Sequence, residues 1–244
     1  MSVSKSDIRF IRSLDKKSER DRTGVFIIEG DKLYKEALES GWIIERTLYR
    51  DVIGEDMMSR ISHLSSPSPV LAIVSRPVVT DTLIPERGQL YLALDSVRDP
   101  GNMGTIIRLC DWFGVKALYC SPDCVDAYNP KVVQSTMGSI FRVNIHYTDL
   151  KHFISENCSN IPIYGTFLNG ENIYTESLTE EGIIILGSES FGISQDLEML
   201  SNKRLHIPSF NKGERAGESL NVATAAAIVC SEFRRISALP PQII

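Results

Sequence analysis

The chain has 244 residues, of which 43% are apolar and 23% are charged, and its formal net charge is −5. This length and composition suit one or two globular domains with a hydrophobic core. The sequence contains no run of eighteen apolar residues, which excludes a membrane-spanning helix, and its negative charge argues against a protein that coats nucleic acid without selectivity.

The amino-terminal segment is basic. Residues 1–22 carry seven Lys or Arg residues against four acidic ones, on an expected helix. This excess is compatible either with a solvated helix face or with a surface that contacts nucleic acid. The first seventeen residues are polar and lack the apolar core of a signal peptide, so we expect a cytoplasmic protein.

Between residues 25 and 75 the pattern predicts a small α/β domain. Short apolar runs predict strands at 25–28, 43–49 and 70–75, and helical periodicity predicts helices at 31–40 and 55–64. Residues 76–88 contain two prolines and a glycine, which is typical of a linker. We therefore expect an amino-terminal domain over residues 1–75, a linker over 76–88 and a second domain over 89–244.

In the second domain, strands alternate with helices. The predicted strands are 90–94, 116–120, 141–145, 161–165, 182–186 and 204–207. The predicted helices are 102–113, 130–135, 149–156, 195–200 and 220–235. This alternation, with nearly continuous apolar strands, predicts a mostly parallel sheet covered by helices on both faces.

The first turn of this domain, between the strand at 90–94 and the next helix, holds candidate binding residues. Asn102 is suited to cap the helix, and Arg108 shares a face with Gly104. The pattern fits either a ligand lying against the helix start or a capped helix with a surface arginine. The spacing of Gly101 and Gly104 does not match the dinucleotide fingerprint, which argues against a classical nicotinamide enzyme.

Two turns near the carboxyl end predict a small-molecule pocket. The first follows the strand at 182–186 and carries Gly187 and Gly192, and glycine lets a ligand approach bare backbone. The second runs from Ile207-Pro208 through a polar loop to the segment 219–221, where a helix begins and its unpaired N–H groups face outward.

Cysteine and histidine do not suggest a catalytic or metal site. Cys120 and Cys124 lack a second pair and a nearby histidine, so a metal site is not expected and buried free thiols are. The cysteines are Cys110, Cys120, Cys124, Cys158 and Cys230.

Three of these segments together resemble the three motifs of the SpoU–TrmH family of RNA ribose methyltransferases, in the SPOUT superfamily. The segments are 102–108 with Phe113-Gly114, 186–192, and 207–208 followed by 219–223. Residues 130–135 with Gly138 also resemble the family, and residues 26–30 with the following helix look like its amino-terminal substrate-binding domain.

The resemblance implies a deep trefoil knot in the carboxyl-terminal α/β domain, which general topology rules would reject. It also implies a homodimer in which each RNA site draws on both chains, S-adenosylmethionine as the cofactor, and methyl transfer to a ribose 2′-hydroxyl. The expected cofactor-binding residues are Leu186, Gly187, Gly192, Ile207, Pro208, Ser219 and Leu220.

By the same resemblance, Arg108 would lie beside the 2′-hydroxyl, where a guanidinium stabilises the developing alkoxide and binds phosphate rather than acting as a base. The other expected catalytic residues are Asn102, Glu189, Ser219 and Asn221, and the expected RNA-binding residues are Arg98, Arg108, Lys131, Lys212 and Arg215. The loop 209–217 is longer than the common family form, so Lys212 and Arg215 either reach RNA or belong to a solvated loop.

Three substrates or roles stay open at this point. Ribosomal RNA is favoured, transfer RNA is the alternative substrate, and a non-catalytic RNA-binding or assembly factor is the alternative class. The apolar face of the last helix suits packing, either in the core or at a dimer interface. Its residues are Val222, Ala225, Ala226, Val229 and Phe233.

Overall fold

The computed structural model describes residues 3–78, 82–211 and 219–238. The chain forms two compact units, one made of residues 1–79 and 126–142 and the other of residues 80–125 and 143–244. In the part of the chain that the structure describes, every helix falls short of the length and apolarity that a membrane span requires.

The helices and strands of the described residues are numbered in chain order. The helices are α1 (Lys5–Ser13), α2 (Lys17–Thr23), α3 (Asp31–Glu39), α4 (Arg50–Ile53), α5 (Glu55–Ile61), α6 (Pro100–Trp112), α7 (Pro130–Thr136), α8 (Leu150–Asn157), α9 (Gln195–Leu200) and α10 (Val222–Ala238). The strands are β1 (Val25–Glu29), β2 (Ile44–Tyr49), β3 (Val70–Ser75), β4 (Leu90–Asp95), β5 (Leu118–Cys120), β6 (Ile145–Tyr147), β7 (Ile163–Asn172), β8 (Gly182–Gly187) and β9 (Lys203–His206).

The first unit is built on a three-stranded antiparallel sheet in the order β1-β3-β2. The central strand β3 is the most apolar, and five of its six residues are buried. Helices α1 and α5 contribute Ile11, Met58 and Ile61 to the core on one side of the sheet, where all three are fully buried. The predicted strands and the helices at 31–40 and 55–64 are therefore confirmed.

The expected single amino-terminal helix is wrong, because two helices occupy this segment. Helix α1 begins with a capping box, in which the Ser4 hydroxyl accepts a hydrogen bond from the Asp7 amide and the Ser4 amide donates to the Asp7 carboxylate. Helix α1 ends at Ser13. The carbonyls of Leu14 and Asp15, which the helix leaves unpaired, accept hydrogen bonds from the Arg20 guanidinium at 2.7 and 2.8 Å. A buried arginine thus replaces the helical hydrogen bonds lost at the break.

Arg20 also forms an ion pair that no sequence pattern indicated. Its Nη2 lies 2.5 Å from Asp126 Oδ2, its Nε lies 2.9 Å from the same oxygen, and both residues are buried. The basic segment 1–22 is therefore not a uniform charged face. Arg20 is buried in the core. Lys17 pairs with Asp21, and Arg22 pairs with Glu19.

We predict that Arg20→Met destabilises the protein by about 3–5 kcal/mol, because it leaves the Asp126 carboxylate buried without a counter-charge. The measurement is urea-induced unfolding. Arg22→Met, at an exposed arginine of the same helix, is the matched control and should change stability by less than about 1 kcal/mol. Equal stability of the two variants would show that the buried pair contributes nothing.

The second unit is built on a six-stranded, all-parallel sheet in the order β6-β5-β4-β8-β7-β9. Every residue of β4 is buried, as are five of the six residues of β8. From β4 the chain runs outward to β5 and β6, and it then returns to the other side through β7 and β8. The order of the sheet therefore reverses between β4 and β8, and such a switch point is where open α/β sheets bind ligands.

The predicted strand at 141–145 is wrong. Residues Ser139–Phe141 form a 3-10 helix, and strand β6 begins only at Ile145. Phe141 instead packs against Trp42, with ring centroids 5.1 Å apart, and its carbonyl accepts a hydrogen bond from Trp42 Nε1. The apolar residues at this position thus belong to the core of the first unit, and the sheet strand lies further along the chain.

Helix α10 packs against the sheet through the face that the sequence indicated. Val222, Ala226, Val229 and Phe233 are buried, and the Phe233 ring meets the Tyr164 ring edge-on at 4.9 Å. Four of the five residues named for this face therefore belong to the unit's own core, and Ala225 is half-buried.

Candidate active site

A cleft lies at the switch point, where the carboxyl ends of β4 and β8 stand side by side. Asp95 and Gly187 are paired in the parallel register, so the chain leaves both strands at the same edge of the sheet. The cleft is lined by Ser96, Val97, Arg98, Asp99, Ser188, Glu189, Ser190, Phe191 and Val222. Residues 96–99 after β4 and residues 188–191 after β8 therefore form its two walls.

The turn after β8 is closed backbone against backbone. The Ser188 amide donates to the Gly192 carbonyl at 3.2 Å, and the Gly192 amide donates to the Ser188 carbonyl at 2.9 Å. A Cβ atom on Gly187 would lie 2.0 Å from the Gly192 carbonyl carbon, a distance that no side chain tolerates. Gly192 itself has φ of +68°, which favours glycine. The geometry of the turn therefore requires glycine at both positions.

The opposite wall is held by polar groups that sequence reasoning missed. The buried carboxylate of Asp95 accepts a hydrogen bond from the Ser194 amide at 2.7 Å, which ties β4 to the segment after the turn. Its sequence signal is a charged residue that ends a wholly apolar strand. Ser121 accepts a hydrogen bond from the Ser96 amide at 2.9 Å and fixes the start of the 96–99 loop.

Arg98 is exposed and bound to its own chain. Its Nη2 lies 2.9 Å from Asp123 Oδ2. The hydrogen bond from Ser121 and the Arg98 guanidinium hold the pKa of Asp123 well below its usual range. An RNA phosphate at Arg98 would therefore compete with this ion pair.

Three predicted residues meet in one hydrogen-bonded cluster. Asn102 Nδ2 donates to Glu189 Oε1 at 2.6 Å, and Asn221 Nδ2 donates to the same oxygen at 2.9 Å. Asn221 Nδ2 also lies 2.9 Å from Asn102 Oδ1. The cluster therefore joins the first turn of α6, the turn after β8 and the start of α10.

Asn221 also caps helix α10. Its Oδ1 accepts hydrogen bonds from the Ala223 and Thr224 amides at 3.1 and 3.2 Å, as expected of an N-cap residue. The prediction that Asn102 caps its helix is wrong, because α6 begins at Pro100 and Asp99 accepts the bond from the Asn102 amide at 2.8 Å. The Asn102 side chain is thereby free to join Glu189.

Arg108 lies apart from this cluster. It is exposed on α6 and makes no hydrogen bond or ion pair with any residue of the described ranges. It lies six positions after Asn102, which places it about 9 Å further along the helix and about 120° around it. Within one chain the two side chains therefore face different directions.

The remaining predicted residues are distributed as follows. Leu186 is buried, Ile207 and Pro208 are half-buried after β9, and Ser219 and Leu220 are exposed beside Asn221. Strand β7 lies between β8 and β9 in the sheet, so the two carboxyl-terminal turns follow strands that are not direct neighbours. Lys131 is exposed on α7 in the first unit. Lys212 and Arg215 lie outside the described residues.

The cysteines behave as expected, since all five are free and buried. Within the described ranges, no three His, Cys, Asp or Glu side chains are grouped so that they could hold a metal ion.

The parallel sheet and the cleft at its switch point define a ligand-binding α/β protein. The chain belongs to the SpoU rRNA methylase family, whose model matches residues 89–231, and a model of the MRM3-like substrate binding domain matches residues 5–55. The resemblance stated from the sequence is thereby confirmed.

Relatives match over nearly the whole chain. The Bacillus subtilis 23S rRNA (guanosine(2553)-2′-O)-methyltransferase RlmP is 30% identical over 250 residues, which cover 96% of this chain and 98% of the relative. A solved TrmH-family structure from Porphyromonas gingivalis has 34% identity and a TM-score of 0.83, and covers 96% of this chain and 99% of its own. An AdoMet-bound rRNA methyltransferase from Sinorhizobium meliloti has 29% identity, a TM-score of 0.86 and coverages of 98% and 99%. These likenesses bear out the predicted α/β fold.

Proposed function

We propose that the protein transfers a methyl group from S-adenosylmethionine to a ribose 2′-hydroxyl of ribosomal RNA. The observation that carries the proposal is the Asn102–Glu189–Asn221 cluster at the switch point of a SpoU-family sheet. The printed activity of the Bacillus subtilis relative and the bound cofactor of the Sinorhizobium meliloti structure support it.

The residues at the carboxyl edge of the sheet fit this cofactor. S-adenosylmethionine carries ammonium, carboxylate, hydroxyl and adenine groups, which backbone amides and carbonyls can bind. The closed turn after β8 lines the cleft with residues 188–191, and apolar contact is available from Val222. We assign the cofactor to Leu186, Gly187, Gly192, Ile207, Pro208, Ser219 and Leu220. When bound, it supplies the methyl group as an electrophilic sulfonium.

Glu189 organises the site in this proposal. Its Oε1 receives two amide hydrogen bonds, so one carboxylate fixes Asn102 and Asn221 at the same time. Because Asn221 also caps α10, the position of that helix start is linked to the cleft. Asn102 is then held where it can bind the ribose, and Ser219 stands two residues before Asn221 to contact cofactor or RNA.

Arg108 supplies positive charge to the reacting hydroxyl. A neutral ribose hydroxyl is a weak nucleophile, and a guanidinium stabilises the negative charge that develops as the oxygen attacks. Arg108 remains protonated throughout, because a guanidinium does not lose its proton in proteins. The proton of the hydroxyl passes to the adjacent phosphate or to water.

The separation of Arg108 from Asn102 supports a homodimer in which a second copy completes the site. Trp112 lies four residues after Arg108, on the same side of α6, and 84% of its surface is exposed. If a second copy covers Trp112, then Arg108 lies at the same interface. Arg108 then completes the Asn102–Glu189–Asn221 cluster of the partner subunit, and not that of its own chain.

We predict that Trp112→Ala converts the dimer to a monomer at micromolar concentration, because a buried aromatic anchor contributes about 2 kcal/mol or more to an interface. Analytical ultracentrifugation measures the change. Met199→Ala, at another exposed apolar residue of the second unit, should leave the mass unchanged. A wild-type protein that sediments as a monomer would contradict the dimer itself.

Several finer assignments complete the proposal. Residues 1–75 act as the RNA-binding domain, 76–88 as a linker and 89–244 as the methyltransferase domain, whose carboxyl-terminal chain forms the trefoil knot. Arg98, Lys131, Lys212 and Arg215 contact RNA phosphates together with Arg108, which fits the dominance of phosphate contacts in nucleic-acid binding. The protein acts in the cytoplasm.

The test is transfer of labelled methyl groups from S-adenosylmethionine to ribosomal RNA from a strain that lacks the gene. We expect labelled, alkali-resistant dinucleotides, since a 2′-O-methyl group blocks alkaline cleavage of the RNA chain. Label found in transfer RNA alone would show that transfer RNA, and not ribosomal RNA, is the substrate. Calorimetry that shows no cofactor binding would instead favour the non-catalytic RNA-binding protein.

A further inference from the structure

Phe191 is an exposed aromatic residue inside the cleft wall, and its position is fixed by the turn that carries it. The Ser188–Gly192 backbone pair leaves three residues at the tip of the turn. Within that tip, the Phe191 amide donates to the Ser188 hydroxyl at 3.2 Å. The backbone that presents the ring is therefore held by three hydrogen bonds.

The ring itself is left uncovered. Phe191 is 85% exposed, whereas Leu186 before the turn and Ile193 after it are buried. Burying a phenylalanine side chain stabilises a fold, and this fold leaves that stabilisation unused at a position that lines the cleft with Glu189. A rigid aromatic face next to the polar cluster suits a flat, apolar binding partner.

We propose that the base of the nucleotide whose ribose is methylated stacks on Phe191, an inference that rests on the proposed function. Base and 2′-hydroxyl are attached to neighbouring carbons of one sugar. If the hydroxyl lies at Asn102 and Glu189, the base lies within reach of a side chain two residues beyond Glu189. Proteins hold unpaired RNA bases by stacking them on aromatic side chains, so Phe191 sets how firmly the target nucleotide is held.

The test compares Phe191→Ala, Phe191→Leu and Phe191→Tyr, with unmethylated ribosomal RNA from the gene-deletion strain as the substrate. Loss of one stacked base weakens RNA affinity about tenfold to hundredfold. We therefore expect the KM for RNA to rise by this factor in the Ala variant. The Leu variant should show a similar loss because it lacks a π face, and the Tyr variant should match wild type. Leu168→Ala, at another exposed apolar residue of the second unit, is the control that should keep its KM.

Calorimetry with S-adenosylmethionine separates the base from the cofactor as the occupant. An unchanged cofactor Kd in Phe191→Ala, together with the raised KM, supports stacking of the RNA base. A cofactor Kd raised as much as the KM would assign the ring to the cofactor and overturn the inference. An unchanged KM beside normal wild-type turnover would overturn it and leave the proposed function intact. No transfer by wild type would overturn both.

Discussion

Arg108→Ala should lower turnover about a hundredfold to a thousandfold while S-adenosylmethionine binding stays at the wild-type level. This is the typical loss when one well-placed charge-stabilising donor is removed from a reacting oxygen. Arg108 has no partner among the described residues, so its removal should not disturb the fold. Single-turnover methyl transfer and calorimetry measure the two quantities.

Two further variants sharpen this prediction. Arg108→Lys keeps the charge but loses the planar fork of donors, so its turnover should lie between those of wild type and the Ala variant. Arg87→Ala removes an exposed arginine that pairs with Glu181 in the same unit, and it should turn over normally. Near-normal turnover in Arg108→Ala would show that the arginine is a surface residue, which is the alternative the sequence left open.

The second large effect is expected at Gly187. The Cβ of Gly187→Ala would lie 2.0 to 2.3 Å from three backbone atoms of Gly192 and Ile193, so the turn must open. Overpacking of this kind costs about 1–3 kcal/mol of stability. A displacement of about 1 Å at a catalytic site can lower activity about a hundredfold. We therefore expect loss of cofactor affinity and turnover in a protein that still folds.

Gly88→Ala is the matched control for this prediction, because Gly88 belongs to the same unit and lies outside the assigned cofactor residues. It adds the same methyl group, but a Cβ at Gly88 meets no atom within 4 Å. Its cost is the left-handed backbone, about 1–2 kcal/mol. Thermal unfolding and calorimetry should therefore show similar stability for the two variants but a much weaker cofactor affinity in Gly187→Ala. Equal affinities would mean that the closed turn is not part of the cofactor site.

The sheet of the second unit could be predicted because its strands are buried on both faces. A run such as 183–186 is apolar at every position, and strict alternation with helices then leaves a parallel sheet as the main solution. The order of the strands is a different matter, since no local pattern indicates that β7 lies between β8 and β9. That order depends on long-range pairing.

The two wrong predictions of secondary structure, the strand at 141–145 and the single amino-terminal helix, also depend on long-range contacts. Apolar residues near 141 could serve a strand or a core, and the choice depends on Trp42, which is 99 residues away in the chain. The break after Ser13 depends on the side chain of Arg20. Of the site, the residues of the cluster could be named from the motifs, but their mutual hydrogen bonds span up to 119 residues and required the fold. Phe191 and Asp95 went unnoticed because each is an ordinary residue type until its surroundings are known.

The most direct test of the central claim is a map of ribose methylation across the stable RNA of the host, compared with and without the gene. We expect one 2′-O-methyl mark in ribosomal RNA to disappear on deletion. It should return with the wild-type gene and stay absent with the Arg108→Ala variant. An unchanged map, or full restoration by that variant, would contradict the claim.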